Sequence, residues 1–79
     1  MYYVYILKYP TEDRIYIGFT ADLRGRIRRH GSEHSGWRLA YYEAYASERD
    51  ARARERRLKQ YGNVQQLLKK RIMDSLNAV

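Results

Sequence analysis

The chain has no cysteine, which excludes disulfide staples and a thiolate zinc site. Proline occurs once, and there is no internal repeat, linker or low-complexity stretch to mark a second domain. No apolar run approaches the roughly 18 to 20 residues of a membrane span. Seventy-nine residues therefore read as one small domain, near the size at which a single core only just outweighs chain entropy. Its stability must come from packing, with a monomer or weak homodimer as the expected assembly. The opening run Tyr2-Tyr3-Val4-Tyr5-Ile6-Leu7 follows Met1 without a basic leader or a small-residue cleavage site. It reads as a strand rather than a signal peptide, and the expectation is a soluble, cytoplasmic protein without a membrane partner.

Acidic side chains are also scarce: nine against sixteen Lys and Arg, a formal charge of +7. Such a bias in so short a chain points to an anionic partner, although a solvated Arg-rich helix gives the same count. Nine tyrosines supply aromatic faces that either stack on bases or fill a core, and position decides between them.

Residues 2 to 8 are β-branched and aromatic with apolar groups at both parities, the pattern of a strand covered on both faces. Pro10 to Asp13 break it, and residues 14 to 19 form a second strand, giving a hairpin with a loop longer than two residues. A loop symmetric about Pro10 and Thr11 would set Tyr5 opposite Tyr16. Thr20 is the expected N-cap of a helix reaching about His30, with Asp22 in its first turn, Leu23 and Ile27 as its apolar seam, and Arg26 and His30 beside that seam. Gly25 costs that helix on the order of 1 kcal/mol against Ala. Gly31, Ser32, Ser35 and Gly36 mark a loop, and His34 reads as a loop residue. A third strand over residues 37 to 45 places Trp37, Leu39, Tyr41 and Tyr45 on one side and Ala40, Tyr42 and Ala44 on the other. Ser47 caps a helix ending near Tyr61-Gly62, where glycine suits a C-terminal cap. A last helix from Asn63 carries Val64, Leu67, Leu68, Ile72 and Leu76. The order β-β-α-β-α-α predicts an α+β fold: a small three-stranded, mostly antiparallel sheet flanked by three helices.

Within the basic helix from Glu48 to Gln60, Glu55 shares a stripe with Ala51 and Leu58 while Arg49, Arg52, Arg56 and Arg57 point elsewhere. An ionised carboxylate on an apolar stripe needs a cation, a metal or strong donors to meet it, and a partner across the fold is expected.

Tyr3-Val4-Tyr5, ten residues, then Tyr16-Ile17-Gly18, followed by Thr20-Ala21-Asp22-Leu23 and the Arg26 to His30 pair, resembles the start of the GIY-YIG nuclease superfamily. The resemblance continues through Trp37-Arg38-Leu39 and Tyr41-Tyr42-Glu43 and through Ala51 to Lys59, covering roughly residues 2 to 72 in the manner of the small single-domain members. The first triplet lacks the glycine of the motif's name. The resemblance implies a metal-dependent endonuclease acting on nucleic acid, DNA rather than RNA, in repair or recombination. Its catalytic positions would be Tyr5, Tyr16, Arg26, His30 and Glu55, with Glu55 holding one Mg²⁺ or Mn²⁺. Asn63 matches an asparagine used in some members, and Lys69, Lys70 and Arg71 become phosphate contacts. No residues remain for a separate recognition domain, so sequence specificity should be low.

The residues support these roles on physical grounds. One carboxylate suits a hydrated Mg²⁺. The rigid fork of Arg26 suits a non-bridging phosphate oxygen. A phenol near two cations can lose its proton below its reference value of about 10, which makes Tyr5 or Tyr16 a general base; Tyr16 is favoured, with His30 stabilising the phenolate. Plainer roles exist for each: packing for the tyrosines, a C-terminal helix cation for His30, a structural Arg26–Glu55 pair, a solvated face for Lys69 to Arg71. A non-catalytic nucleic-acid-binding or protein-interaction module is the rival function, and a purely structural homodimer a third.

Overall fold

The computed structural model describes residues 1–33 and 36–79. Three strands, β1 (Tyr2–Lys8), β2 (Ile15–Thr20) and β3 (Arg38–Tyr45), form one sheet in the order β2-β1-β3, antiparallel at both pairings. The helices are α1 (Leu23–Glu33), α2 (Glu48–Gln60), α3 (Gly62–Arg71) and α4 (Met73–Asn77). The α+β expectation holds, with four helices among the described residues where three were expected. No helix among the described residues is long and apolar enough to cross a membrane.

Strand β1 is central because it is apolar at both parities, and Val4 through Leu7 are each only 1 % exposed. Val4 and Ile6 join Ile17 of β2, Ala51 and Leu58 of α2, and Leu68, Ile72 and Leu76 in one core beneath the sheet. Tyr3 and Tyr5 face the other way, toward α1: Tyr3 borders a groove with Leu23, Ile27, Leu39 and Tyr42, and Tyr5 meets Arg26. The sheet is thus sandwiched, α1 above and the other three helices below.

The hairpin register differs from the symmetric expectation. Tyr5 faces Gly18, and Tyr16 faces Leu7. The strand pairing is centred on Thr11-Glu12, one residue later than Pro10-Thr11, although Pro10 and Thr11 are the inner residues of a turn closed by the Glu12 amide donating to the Tyr9 carbonyl at 3.1 Å, and Glu12 ties Arg14 beyond it. Thr20 does not cap α1. Its hydroxyl accepts from the Asp22 amide (3.0 Å), and the Asp22 carboxylate accepts from the Gly25 amide (3.1 Å), which makes Asp22 the cap. Gly25 then lies in the first turn, where its weak propensity costs least, and α1 continues past His30 through Gly31 and Ser32. His34 and Ser35 lie outside the described residues. Gly36 has a φ of 98°, a conformation that favours glycine.

In β3 a bulge opposite the Ile6–Leu7 step makes Ala40 an extra residue. Leu39 therefore lines the α1 groove with Tyr42, not the side of Tyr41, while Ala40 packs on the core with Tyr41 and Tyr45. Ser47 caps α2 as expected, accepting from the Asp50 amide. Gly62 does not close α2. Tyr61, extended at φ −116°, ψ 111°, ends α2 and precedes α3, which Gly62 begins. The last helix bends at buried Ile72, whose amide still donates to Leu68 and whose carbonyl still accepts from Leu76. Leu68 and Ile72 hold the inward stripe at four-residue spacing, which leaves Leu67 66 % exposed.

One polar cluster locks α2 to β3. Arg54 donates to both Glu43 oxygens (3.0 and 3.1 Å), and the Tyr41 and Tyr45 hydroxyls donate to one each. Burial works against the Glu43 charge, yet the donors Arg54, Tyr45 and Tyr41 hold its carboxyl below the usual range. Burial and the bond to Glu43 push both phenols up to about 12. Stability from Glu43 is thus complete above the unfolded carboxylate pKa of about 4.3 and is lost as pH falls through the lower folded value. Stability from the phenols is complete below about pH 10 and is lost as pH rises toward 12. Thermal melts across this range should fall at both ends. Glu43→Gln should cost about 2 kcal/mol near neutrality and make the alkaline fall shallower; an unchanged alkaline arm would refute the cluster's part in it.

Candidate active site

Four of the five expected catalytic positions meet on the α1 side of the sheet. Tyr5, at 1 % exposure, points its ring across β2. Its partner across the hairpin is Gly18, and a Cβ there would overlap the Tyr5 Cζ and Oη atoms. The missing side chain therefore makes room for a phenol to cross the neighbouring strand. Arg26, from the second turn of α1, donates through Nε to Tyr5 Oη at 3.1 Å. Tyr16 lies on the diagonal, its ring centre 6.2 Å from that of Tyr5. His30, one helical turn beyond Arg26, sits 5.2 Å from the Tyr16 ring and is 4 % exposed.

Trp37 closes the far side. Its ring stands perpendicular to His30 at 6.2 Å, with the Arg14 guanidinium 5.7 Å from its centre. Sequence reasoning placed Trp37 in a strand and gave it no part here. The signal was a lone tryptophan emerging from the loop that follows the His30 helix.

Burial separates the two phenols. Burial raises the pKa of Tyr5, and the lowering by Arg26 does not overcome it; the charges of Tyr16 and Glu55 add to the rise. Tyr5 is therefore held neutral, contrary to the expectation that nearby cations would ease its deprotonation. Tyr16 is 38 % exposed and is the phenol open to water and ligand. The bond to Tyr5 reinforces the Arg26 charge, with Tyr16 acting in the same sense.

Glu55 approaches from α2, on the other side of the sheet. Its charge reaches Tyr5, but its ion-pair partner is Lys59 on its own helix, Nζ 3.0 Å from Oε2. Among the described residues its ion pair is this i,i+4 contact and not the alternative pair with Arg26. Glu55 keeps a 19 % exposed side chain and borders a depression of about 400 Å³ with Arg52, Arg56, Lys59 and Gln60. Among the described residues no group of three or more His, Asp or Glu side chains is gathered as a metal cage.

The remaining expected residues lie apart from this cluster. Asn63 is exposed in the first turn of α3. Lys69 and Lys70 line a depression with Lys8, Ile15 and Met73, Arg71 lines another with Arg54 and Leu67, and Lys70 and Arg71 share a third with Asp74.

These elements belong to a class of small nuclease-type catalytic domains. The family model of the GIY-YIG catalytic domain matches residues 1–71 of the 79, and the chain belongs to the GIY-YIG family. Comparison with curated proteins gave no match, nor did comparison with solved structures.

Gly18→Ala should displace the Tyr5 ring and cost about 1–3 kcal/mol, the usual penalty for overpacking. Urea unfolding measures the loss, and near-ultraviolet circular dichroism the altered tyrosine environment. A variant as stable as the parent would show that the ring does not need the glycine.

Proposed function

We propose that this chain is a divalent-metal-dependent endonuclease that hydrolyses DNA phosphodiester bonds with low intrinsic sequence specificity. The single observation that carries the reading is the Arg26 Nε to Tyr5 Oη bond with Tyr16 and His30 alongside. It gathers a fixed cation, two phenols and an imidazole under one helix.

Hydrolysis requires charge stabilisation at phosphorus, a proton acceptor for the attacking water and a stabilised leaving oxygen. Arg26, oriented by the buried Tyr5 hydroxyl, offers its charge to a non-bridging oxygen. Tyr5 stays neutral and acts as the anchor of that guanidinium. Tyr16 Oη, the open phenol, takes the proton from water, and the adjoining His30 ring stabilises the phenolate. The donor set fits a hard, hydrated cation. Glu55 offers one partly exposed carboxylate, whose Oε2 lies 3.0 Å from Lys59 Nζ, and it would hold one Mg²⁺ or Mn²⁺, an ion that suits a single carboxylate because it keeps several of its waters. Such an ion, when bound, polarises the phosphoryl oxygen and stabilises the leaving oxygen.

Backbone contacts beyond the reacting centre are assigned to Lys69, Lys70 and Arg71, and a supporting one to Asn63. A cytoplasmic role in DNA repair or recombination, carried out by residues 1–79 as a single domain in a monomer or weak homodimer, completes the proposal.

The test is plasmid cleavage with Mg²⁺ or Mn²⁺ and with chelator. Glu55→Gln should lower turnover by about 10²-fold or more, while the Kd for duplex DNA in chelator changes by less than about twofold. Cleavage that is indifferent to chelator, or undiminished in Glu55→Gln, would refute the assignment. Salt-sensitive binding with no nicked product would favour a docking module instead.

A further inference from the structure

The three cations around Glu55 are not equivalent. Arg52 is committed elsewhere: its Nε donates to Glu48 Oε2 at 2.7 Å, and its guanidinium lies 4.2 Å from the centre of the Phe19 ring. Arg56 is exposed and lines the same depression, but among the described residues it makes no ion pair. Lys59 alone reaches the carboxylate. Its side chain is 53 % exposed against 19 % for Glu55, so the ammonium can swing into water while the acid stays in place. A lysine placed four residues after a glutamate is the favourable order for such a pair, and an exposed pair of this kind is easily broken.

We infer that Lys59 is an exchangeable counter-ion: it neutralises Glu55 while no divalent cation is bound, and it yields the carboxylate when one binds. The inference rests on the reading of Glu55 as the ion's holder. An ammonium and a dication on one carboxylate repel each other, so Lys59 acts as a built-in competitor that weakens ion binding. It also spares the domain a half-buried, uncompensated carboxylate when the ion is absent.

Mn²⁺ titrated into the full chain, with the free ion followed by electron paramagnetic resonance, tests this without any nuclease assay. Lys59→Met keeps the stem and a good helix former while removing the charge, and circular dichroism checks that each variant is folded; Lys59→Gln replaces it should the Met variant aggregate. Lys59→Met should bind Mn²⁺ about fivefold more tightly than the parent. Arg56→Met removes the same charge from the same depression without removing a contact, and should change affinity by less than about twofold. Glu55→Gln should lose the binding. A Lys59 variant no tighter than the parent, or an Arg56 variant that gains as much, overturns the exchange and leaves Glu55 as the holder. Parent-like binding by Glu55→Gln, or no binding by any form, overturns the holder and the exchange together.

Discussion

The hydrogen bond from Arg26 to the Tyr5 hydroxyl is the constraint on which the site depends. A phenol at 1 % exposure must find a partner, because a buried hydroxyl without one costs on the order of 1–3 kcal/mol. Meeting that need from α1 fixes the helix over the central strand and aims a guanidinium into the space beside Tyr16. His30 follows automatically, one turn along the same helix, and falls against the Tyr16 ring. Loss of the Tyr5 hydroxyl would therefore remove one of the bonds that hold Arg26 over the central strand.

The opposite side of the sheet is held by a second polar arrangement of a different kind. Glu43 receives four donors, two from Arg54 and one from each flanking tyrosine. That is close to the full acceptor capacity of a carboxylate, and it leaves the cluster little capacity for a ligand. Its consequence for the site is positional. Arg54 immediately precedes Glu55, so the bond that sets α2 against β3 also sets where the acid emerges.

Periodicity made the layers legible. A first strand apolar at both parities could only be the centre of a covered sheet, and the Ala51 and Leu58 spacing gave the buried stripe of α2. The gathering of Tyr5, Tyr16, Arg26 and His30 was legible through the motif spacing and not through composition. What escaped were one-residue events. Moving the centre of the hairpin pairing by one residue changed the Tyr5 partner from Tyr16 to Gly18, a two-residue register shift that keeps each side chain on its face and so leaves the apolar pattern intact. The bulge at Ala40 moved Leu39 to the other face. Thr20 looked like a cap and made a turn instead, since Asp22 two residues on offered the helix a better-placed oxygen. Lys59 stands at i,i+4 from Glu55, but the apolar stripe that carries the acid points across the fold and away from its own helix.

Sheet topology decides where such a site can exist. Arg26 and His30 come from the helix above the sheet and Glu55 from a helix below it, so these groups can share a ligand only around an edge of the sheet. The edge in question is β2, the outer strand, which carries Tyr16 and Gly18. Arg52, one turn before Glu55, lies against Phe19 of that strand, and this brings α2 to the same border. Tyr5 belongs to the central strand and would be one strand short of the edge. Its ring gains the missing distance by crossing Gly18, where no side chain stands in the way. A larger residue at 18 would push the buried phenol back from that border and disturb its bond to Arg26. The glycine of the second motif is therefore as much a part of the site's geometry as the tyrosine that precedes it.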